Sequence, residues 1–436
     1  MFRLLLLPAV LLAVSLSAEP MMTLEEAIAL GLKNSYNIKV ARNQAQMADN
    51  NKGLGLAGFL PTVDASGGYR LTNGDLEIDL PPSSAESEKE NLTAELSLRW
   101  TLFDGFRMFV DRKKFNELAR MGEYQARNQI EGSIVNISRA YFNLVQQERL
   151  LQVASDTRDL SEARLRRERI RNELGGSSST DFLHAQVAFN SDQSTLLSQQ
   201  LLVNIARQQL NVLLGQDPAT SYSVSNEILI PELSLDYTQV HDLALEHNSS
   251  LKAAELSEKI TGRDVQKASS SFLPNLSAYA NYGYSDETAN STAGLNPGLD
   301  VGTQTTSTTV GLSLSLNLFN GRRNRIELQN AKIEAVNQAL VLRDARNRLI
   351  GLVCETFDTY HQRMEVITLE AQNAETAQQN LDLQKERQEQ GIVNSLEFRD
   401  AQLSLTKAQT SLITARYQAR ISRLEIEQLI GSLEID

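Results

Sequence analysis

The feature of this sequence that most constrains its fold is an alternating apolar segment that leads directly into a very long stretch without proline. In residues 310–318 a large apolar side chain occupies every second position, which is the period of a strand with one apolar and one polar face. After Leu318-Phe-Asn-Gly321, residues 322–390 contain no proline. One continuous helix of that length extends about 100 Å, at about 1.5 Å per residue. No compact domain of this size needs such a helix.

The same junction between an alternating strand and a long helix, here called a joint, occurs 216 residues earlier in the chain. Residues 92–102 alternate in the same way, lead into Leu102-Phe-Asp-Gly105, and are followed by a proline-free stretch to Leu174. The motif Phe-Leu-Pro precedes both strand pairs, at residues 59–61 and 272–274. Because several separated motifs keep one spacing, the sequence indicates a tandem duplication.

The duplication divides the chain into a leader, two repeats and a linker. We expect a signal peptide at residues 1–18, a first repeat at 19–216, a linker at 217–236 and a second repeat at 237–436. Each repeat is predicted to contain a helix, two strands and a long helical hairpin, with the first helix spanning residues 23–57. The predicted strands span residues 62–72 and 92–103 in the first repeat, and 275–284 and 308–319 in the second.

The amino terminus has the pattern of an export signal. Arg3 precedes an apolar run from Leu4 to Val14, and small residues suit cleavage before Ala18 or Glu19. The run is short for a membrane span, although an uncleaved anchor is the alternative. Cys354 is the single cysteine, so no disulfide framework exists. Its place within the second long helix predicts a buried thiol.

Composition excludes several classes of function. The net charge is −12, and removing the leader with Arg3 makes it −13, which argues against nucleic acid as a partner. No apolar run of 18 residues follows the leader, so we do not expect an inner-membrane helical protein. The four histidines lack zinc-ligand spacing, and no nucleophile elbow or phosphate-binding loop is present. We therefore expect no metal, no cofactor and no enzymatic activity. The histidines are His184, His241, His247 and His361.

The long helices carry apolar residues at alternating steps of three and four. This spacing predicts a narrow coiled-coil seam, and the remaining faces are polar. Helical hairpins with a narrow apolar seam and solvent-exposed polar faces suit a rod or the wall of a hollow tube. The seam residues are Ile130, Ile134, Ile137, Tyr141 and Leu144 in the first copy, and Ile350, Val353, Phe357, Tyr360, Met364 and Ile367 in the second.

The four strands have the length and alternation of tilted membrane-crossing strands. Their polar face includes Asp64, Arg70, Glu95 and Arg99, which we expect to line an aqueous lumen while the apolar face meets lipid. An ordinary soluble sheet is the alternative. Since open strand edges are not tolerated in lipid, four strands require oligomerisation. Two copies give a filled eight-stranded barrel and three copies a twelve-stranded barrel with room for a pore, so a trimer is favoured.

The duplicated order of helix, strand pair and long helix, with Phe-Leu-Pro and Leu-Phe-Asp/Asn-Gly at the joints, resembles the TolC family of outer-membrane efflux and type I secretion channels. The resemblance implies a mixed fold of mostly α class with transmembrane β. A long coiled-coil α-helical barrel would join a trimeric, twelve-stranded antiparallel β-barrel in the outer membrane of a Gram-negative bacterium. It also implies a periplasmic adaptor protein and an inner-membrane transporter as partners. The expected joints between barrel and helices are Pro61, Gly105, Pro274 and Gly321.

The resemblance further places a periplasmic aperture at the turns between the long helices. The expected turn residues are Gly175, Thr180 and Gly391, and Asp181, Glu397 and Asp400 match segments in which acids ring the closed mouth. Helix capping is the alternative role for Asp181 and Glu397, since Asn394-Ser-Leu-Glu397 fits a capping box. Asp400 lies a turn further in, so capping explains it less well.

Some family members latch the aperture with a tyrosine and an arginine. Here Gln388 and Val393 align with those positions, which leaves Arg387 or Arg399 as substitutes. A periplasmic coiled-coil adaptor or rod is the competing class of protein, but it would not need four alternating strands. Aromatic residues near the strand ends suit a membrane-interface girdle, or plain strand packing. These are Tyr69, Trp100, Tyr282, Tyr284 and Phe319.

Overall fold

The computed structural model describes residues 21–77, 84–175, 179–225, 227–291, 300–390 and 395–433. The predicted signal peptide lies outside these ranges. The elements in chain order are β1 (Met21–Met22), α1 (Leu24–Asn34), α2 (Tyr36–Asn50), β2 (Thr62–Glu77), β3 (Ser84–Asp104), α3 (Arg107–Glu173), α4 (Ser179–Leu213), β4 (Ser223–Val224), α5 (Tyr237–His247), α6 (Ser249–Ser270), β5 (Asn275–Ser291), β6 (Val301–Ser315), α7 (Arg323–Glu389) and α8 (Ser395–Leu429).

The duplication is visible in the helix boundaries. Helices α3 and α7 each have 67 residues, and α4 and α8 each have 35. Helices α1 and α5 both begin with a capping box, formed by Thr23 with Glu26 and by Asp236 with Gln239. Equivalent residues lie 213 positions apart before the strand hairpins and 216 apart after them. The boundaries of α1, α3 and α4 therefore recur in α5, α7 and α8, whereas α6 is longer than α2.

One expectation about the first repeat is wrong in detail, and the segment predicted as a linker contains a short strand. The first predicted helix is two helices, because Ser35 leaves the helical conformation while its N–H still bonds the carbonyl of Gly31. The predicted linker contains strand β4, which pairs in parallel with β1, Met21 opposite Ser223. The Tyr141 hydroxyl donates to the carbonyl of Met22 and accepts from the N–H of Ser225, at 3.0 and 3.4 Å.

The chain divides into two compact units. The first comprises the residues up to Ala41, Asn128–Asn248 and those from Leu349 onward. Its main core includes all five residues of the first predicted seam, which are buried as expected. In the second seam only Val353 and Tyr360 are fully buried. Cys354 is exposed, contrary to expectation, because it lies beside the seam position Val353 rather than on the stripe.

The second unit comprises Arg42–Arg127 and Ser249–Arg348 and contains a four-stranded antiparallel sheet in the order β2-β3-β5-β6. The two hairpins have equivalent registers, with Thr62 opposite Arg99 and Asn275 opposite Ser315. Strand β3 pairs with β5 along the middle of the sheet, with a register shift between Thr101 and Phe103.

The strands differ in length from the predicted ones. Strands β2, β3 and β5 continue into polar sequence beyond the apolar alternation, because backbone pairing does not require apolar side chains. Strand β6 also begins earlier than predicted, at Val301 in polar sequence, but it ends at Ser315, four residues before the predicted end. Beyond Arg99, strand β3 continues through its pairing with β5, whereas β6 is an edge strand without a second neighbour among the described strands.

None of the helices in the described part of the chain combines the length and apolarity needed to cross a membrane.

Candidate functional site

The ends of the long helices fix the predicted aperture turns. Helix α3 ends at Glu173, and Gly175 follows in the left-handed conformation with φ +75°, its N–H bonding the carbonyl of Asn172. That conformation suits glycine at a helix C-terminus. Thr180 is the second residue of α4 and is exposed. Gly391 lies outside the described residues.

Asp181 and Glu397 lie in the first turns of α4 and α8, and Asp400 lies in the second turn of α8. Asp181 is half-buried, whereas Glu397 and Asp400 are exposed. On α8, Phe398 and Ala401 are buried in a small apolar cluster on the other side of the helix. Glu397 and Asp400 are three residues apart and therefore share the exposed face.

A buried ion pair that sequence reasoning missed joins α4 to α8. The Nη1 and Nη2 atoms of Arg399 donate to the two carboxylate oxygens of Asp192 at 2.6 and 2.7 Å. This bidentate geometry is the strong form of an arginine–carboxylate contact. Arg399, one of the two suggested latch substitutes, is thus engaged within its own chain. The sequence contained a signal for the buried acid, because Asp192 lies on the apolar stripe of α4 between Ala185 and Leu196.

Charged residues of α3 and α4 surround this pair. Arg164 and Glu168 of α3 are both buried. Burial lowers the pKa of Arg164, and the nearby Arg399 lowers it further, while Glu168, Asp181 and Asp192 oppose the shift. Asp181 therefore lies in the electrostatic field of a buried arginine, which a capping role does not require.

Hydrogen bonds connect α8 and α7 to α3 in the same region. The buried Gln402 side chain donates to the carbonyl of Thr157 at 2.8 Å, and the Thr157 and Thr406 hydroxyls are 2.9 Å apart. Gln388, at the position expected for the latch tyrosine, accepts a hydrogen bond from Arg167 at 2.9 Å. Arg387 is exposed, and Val393 lies outside the described residues.

The four predicted lumen residues share one face of the sheet. Asp64 lies opposite Ser97, Arg70 opposite Asn91, and Glu95 opposite Ser66. Arg99, opposite Thr62, belongs to the same face, and all four predicted residues are exposed. The other face carries exposed apolar side chains, among them Val63, Tyr69, Leu96, Trp100, Leu312 and Leu314.

The predicted joints lie at the boundaries between sheet and helix. Pro61 and Pro274 immediately precede β2 and β5. Gly105 and Gly321 have φ of +70° and +69°, and the residue after each, Phe106 or Arg322, is also left-handed. Two consecutive left-handed residues turn the chain from strand to helix.

Within the described ranges, no group of three or more His, Cys, Asp or Glu side chains could hold a metal ion.

Comparison with known proteins identifies the family. The model of the outer membrane efflux protein family matches residues 27–216 and 240–432. Outer membrane protein TolC of Escherichia coli (strain K12) is 23% identical over 382 residues, covering 86% of this chain and 75% of the relative. The alkaline protease secretion protein AprF of Pseudomonas aeruginosa is 22% identical over 410 residues, covering 90% and 82%.

Solved structures share the fold. The Campylobacter jejuni CmeC outer membrane channel superposes with a TM-score of 0.77 at 16% identity, covering 94% of this chain and 85% of that one. The outer membrane protein VceC from Vibrio cholerae gives 0.74 at 17% identity, covering 94% and 96%. These neighbours combine an α-barrel with a β-barrel. Both repeats match the family model, so the resemblance to TolC is confirmed and the chain belongs to the outer membrane efflux protein family.

Proposed function

We propose that three copies of this chain form the exit duct of a tripartite efflux pump or a type I secretion system. The chain is an outer-membrane channel protein of the TolC type and not an enzyme. The proposal adds the number of copies, the partners and the roles of individual residues.

One observation carries the trimer: a four-stranded sheet that is open on both sides. In the part of the chain that the structure describes, β2 and β6 each pair along one edge only. The apolar face of the sheet is exposed, and so is the polar face with Asp64, Arg70, Glu95 and Arg99. Lipid accepts the first face but not the second, and it does not accept an unpaired edge. A closed barrel of three sheets satisfies all three requirements, with the charged face towards a watery lumen.

The remaining partners follow from the passive nature of a duct. A channel without a site for energy conversion depends on an inner-membrane transporter, and a periplasmic adaptor protein would join the two. A relative named for alkaline protease secretion and a family model named for efflux allow either a protein or a small-molecule cargo. We assign the choice of cargo to the transporter, since a polar channel wall does not discriminate.

A periplasmic adaptor or rod is the alternative assignment, and one experiment separates it from the channel. Outer-membrane fractions are extracted in detergent, run with and without heating on denaturing gels, and reconstituted in planar bilayers. The channel is expected to give a heat-sensitive trimer band and discrete conductance steps. A monomer that never perforates a bilayer would refute the proposal.

At the aperture, we propose that Asp181, Glu397 and Asp400 form rings of carboxylates at the periplasmic turns, near Gly175, Thr180 and Gly391. Three copies contribute nine acids, and rings of one charge favour counterions. Asp400 has the best support of the three for a role in the pore, because it is exposed, lies beyond the capping positions and makes no ion pair with any described residue.

The test is the Asp400→Ala variant in planar bilayers. Cation preference and block by multivalent cations from the periplasmic side are both expected to weaken. Glu334→Ala, which removes an exposed acid of α7 about 60 residues before the second turn, is the matched control. Unchanged selectivity and block in Asp400→Ala would remove this residue from the aperture.

A further inference from the structure

We propose that the starts of the two longest helices form a basic belt that binds the headgroups of anionic phospholipids at the periplasmic edge of the outer membrane. The basic belt consists of five cations in each copy: Arg112 and Lys113 of α3, and Arg322, Arg323 and Arg325 at the start of α7. The inference rests on the proposed function, because that function sets the apolar face of the sheet in lipid. It adds a ligand class, the phosphate group of a membrane lipid, to the channel.

The basic belt begins where the apolar rows of the sheet end. The alternation of β3 ends at Leu102, and the alternation that starts in β6 ends at Leu318. Arg322 follows Leu318 by four residues, and Arg112 follows Leu102 by ten. Leu318 is 89% exposed and Phe319 is 80% exposed, so the apolar surface extends to the start of α7. The cations therefore adjoin the surface that the proposed function assigns to lipid.

The distance of these cations from the sheet fits the headgroup layer of a bilayer. The hydrocarbon core is about 30 Å thick and the whole bilayer about 40–45 Å, which leaves about 5–8 Å of headgroups on each side. A helix advances about 1.5 Å per residue, so Lys113 lies about 9 Å beyond the start of α3 and Arg325 about 3 Å beyond the start of α7. The long side chains of lysine and arginine reach back towards phosphates from such positions.

Aromatic side chains lie at the same level. The Nε1 atom of Trp100 donates to the carbonyl oxygen of Phe59 at 3.0 Å. The ring centroids of Phe59 and Phe109 are 5.1 Å apart in an edge-on contact, and so are those of Phe103 and Phe106. Both Phe106 and Phe109 are still exposed. Because aromatic girdles of membrane barrels lie at the boundary between lipid and water, this cluster marks the boundary independently of charge.

The five cations have no partners in the described part of the chain. All of them are exposed, and none makes a hydrogen bond or an ion pair with a described residue. Neighbouring cations are paired instead, Lys114 with Asp264 and Arg107 with Asp111. Within residues 107–113 and 322–329, Glu327 is the only exposed acid. These cations are therefore available to an external anion.

Helix stability does not explain these cations. The N-terminus of a helix carries a partial positive charge, so acids are favourable there and bases are unfavourable. Helices α1, α4 and α8 each have an acid in the first turn, whereas α3 and α7 have none. Arg107 begins α3, and Arg323 and Arg325 lie in the first turn of α7. Phosphate groups around these helix starts would offset the repulsion.

The two repeats reach the same charge at different positions. Four of the five cations have no basic equivalent in the other repeat. Arg112 and Lys113 correspond to Leu328 and Gln329, Arg322 and Arg325 correspond to Phe106 and Phe109, and Arg323 corresponds to Arg107. A specific contact within the fold would fix the position of each charge. A lipid surface requires only that the charges lie at one level, which is what the sequence provides.

The opposite end of the sheet has the opposite charge. Residues 88–90 of β3 and 286–287 of β5 contain four acids and one lysine, Lys89, which lies 3.8 Å from Glu287. The acids are Glu88, Glu90, Asp286 and Glu287. Since the whole chain has a net charge of −12, its composition does not account for a group of unpaired cations at the helix end. Anionic headgroups are attracted at that end only.

The single tryptophan allows lipid binding to be measured next to the basic belt. Trp100 lies on the apolar face of the sheet, and brominated lipid chains quench tryptophan fluorescence when they lie beside it. The full chain is reconstituted in bilayers of brominated phosphatidylglycerol with unlabelled phosphatidylcholine, and the labels are then exchanged. One Lys or Arg near an anionic surface strengthens the attraction about fivefold, so we expect a preference for phosphatidylglycerol of about fivefold or more that weakens at high salt.

A test variant and a matched control remove the same number of cations from the same helices. The test variant combines Arg112→Gln, Lys113→Gln, Arg322→Gln, Arg323→Gln and Arg325→Gln. The control combines Arg120→Gln, Arg127→Gln, Arg343→Gln, Arg346→Gln and Arg348→Gln. The control positions lie about 20 Å or more beyond the helix starts, outside the headgroup layer. The preference is expected to disappear in the test variant and to persist in the control.

Planar-bilayer conductance shows in each case whether the channel has formed, and Arg112→Gln with Lys113→Gln repeats the test if the larger variant does not conduct. A conducting wild type without lipid preference, an unchanged preference in the variants, or an equal loss in the control would overturn the basic belt and leave the channel standing. Loss of the preference in inorganic phosphate, but not in chloride of equal ionic strength, would replace the lipid by a free phosphate ion. A wild type that never conducts would overturn the proposed function itself.

Discussion

The buried pair between Asp192 and Arg399 gives the sharpest quantitative prediction. The side chain of Asp192 is 8% exposed and that of Arg399 is 14% exposed, and two short hydrogen bonds join them. Removing one partner of a buried pair leaves the other charge buried and unpaired, which lowers the stability by about 3–5 kcal/mol. Replacing both by apolar residues of similar size is often close to neutral. Asp192→Asn and Arg399→Met should therefore each destabilise the junction of α4 with α8, and Asp192→Leu with Arg399→Met should restore most of the loss.

The two single variants are not expected to be equal. Asp192→Asn leaves Arg399 close to the buried Arg164, whose pKa is already lowered by burial and by Arg399. Arg399→Met instead leaves Asp192 with Arg164 as a nearby cation. Asp192→Asn should consequently be the more destabilising of the two.

Hydrogen exchange measures the effect locally, which suits a membrane assembly that does not unfold in two states. Since each 1.4 kcal/mol is a factor of ten, amides of α8 near Arg399 should exchange faster in the single variants by a factor between about 10² and about 4 × 10³. The control is Arg348→Met, which breaks the exposed pair of Arg348 with Asp344 on α7 and should cost below about 1 kcal/mol. If the double variant exchanged as fast as the two single losses combined, the pair would contribute no coupling and the reasoning would be wrong.

Two further predictions concern the joints and the core of the first unit. Gly105→Ala should lower the midpoint of heat-induced trimer dissociation more than Gly175→Ala, because both positions have positive φ but only Gly105 faces atoms within 4 Å; equal shifts would contradict the packing argument. Burial raises the pKa of Tyr222 to about 12, so its stabilising contribution is present below its unfolded value near 10 and is lost as the pH rises through about 12. Tyr222→Phe should remove that part of the melting-temperature decline between pH 10 and 12, and a decline identical to wild type would refute it.

The sequence predicted the order of the four long strands and the long helical hairpins because each signal was local and repeated. Long proline-free stretches indicated α3 and α7, and the joint glycines marked where these two helices begin. The extent of the strands was not predictable in this way. Polar residues such as those after Thr72 extend a strand when a neighbour supplies backbone partners, and β6 stops at Ser315, where no other described strand supplies them.

The polar cluster at the helix ends was harder to predict than the acids beside it. Exposed residues such as Asp400 resemble a known family segment, whereas Asp192 and Arg399 lie 207 positions apart and meet only after two hairpins have folded. Periodicity could have flagged Asp192 as an acid on a buried stripe, but not its partner. The misjudged Cys354 has the same origin, because a one-residue error in helical phase moves a side chain by about 100°.

The boundary between the two repeats of one chain and the boundary between two copies of the proposed trimer have different side chains. Inside the chain, α6 meets α3 through ion pairs such as Arg263 with Glu117 and Lys267 with Asp111. By the offsets between the repeats, the equivalent positions at the boundary between two copies of the proposed trimer are Asn50 with Ile333, and Leu54 with Glu327. Inside the chain the two repeats are already covalently linked. Their ion pairs therefore have to align the repeats, and need not drive their association. Separate copies must associate from solution or membrane, and burial of the apolar side chains of Ile333, Leu54 and Met47 drives association more effectively than partly buried ion pairs, whose desolvation offsets their attraction.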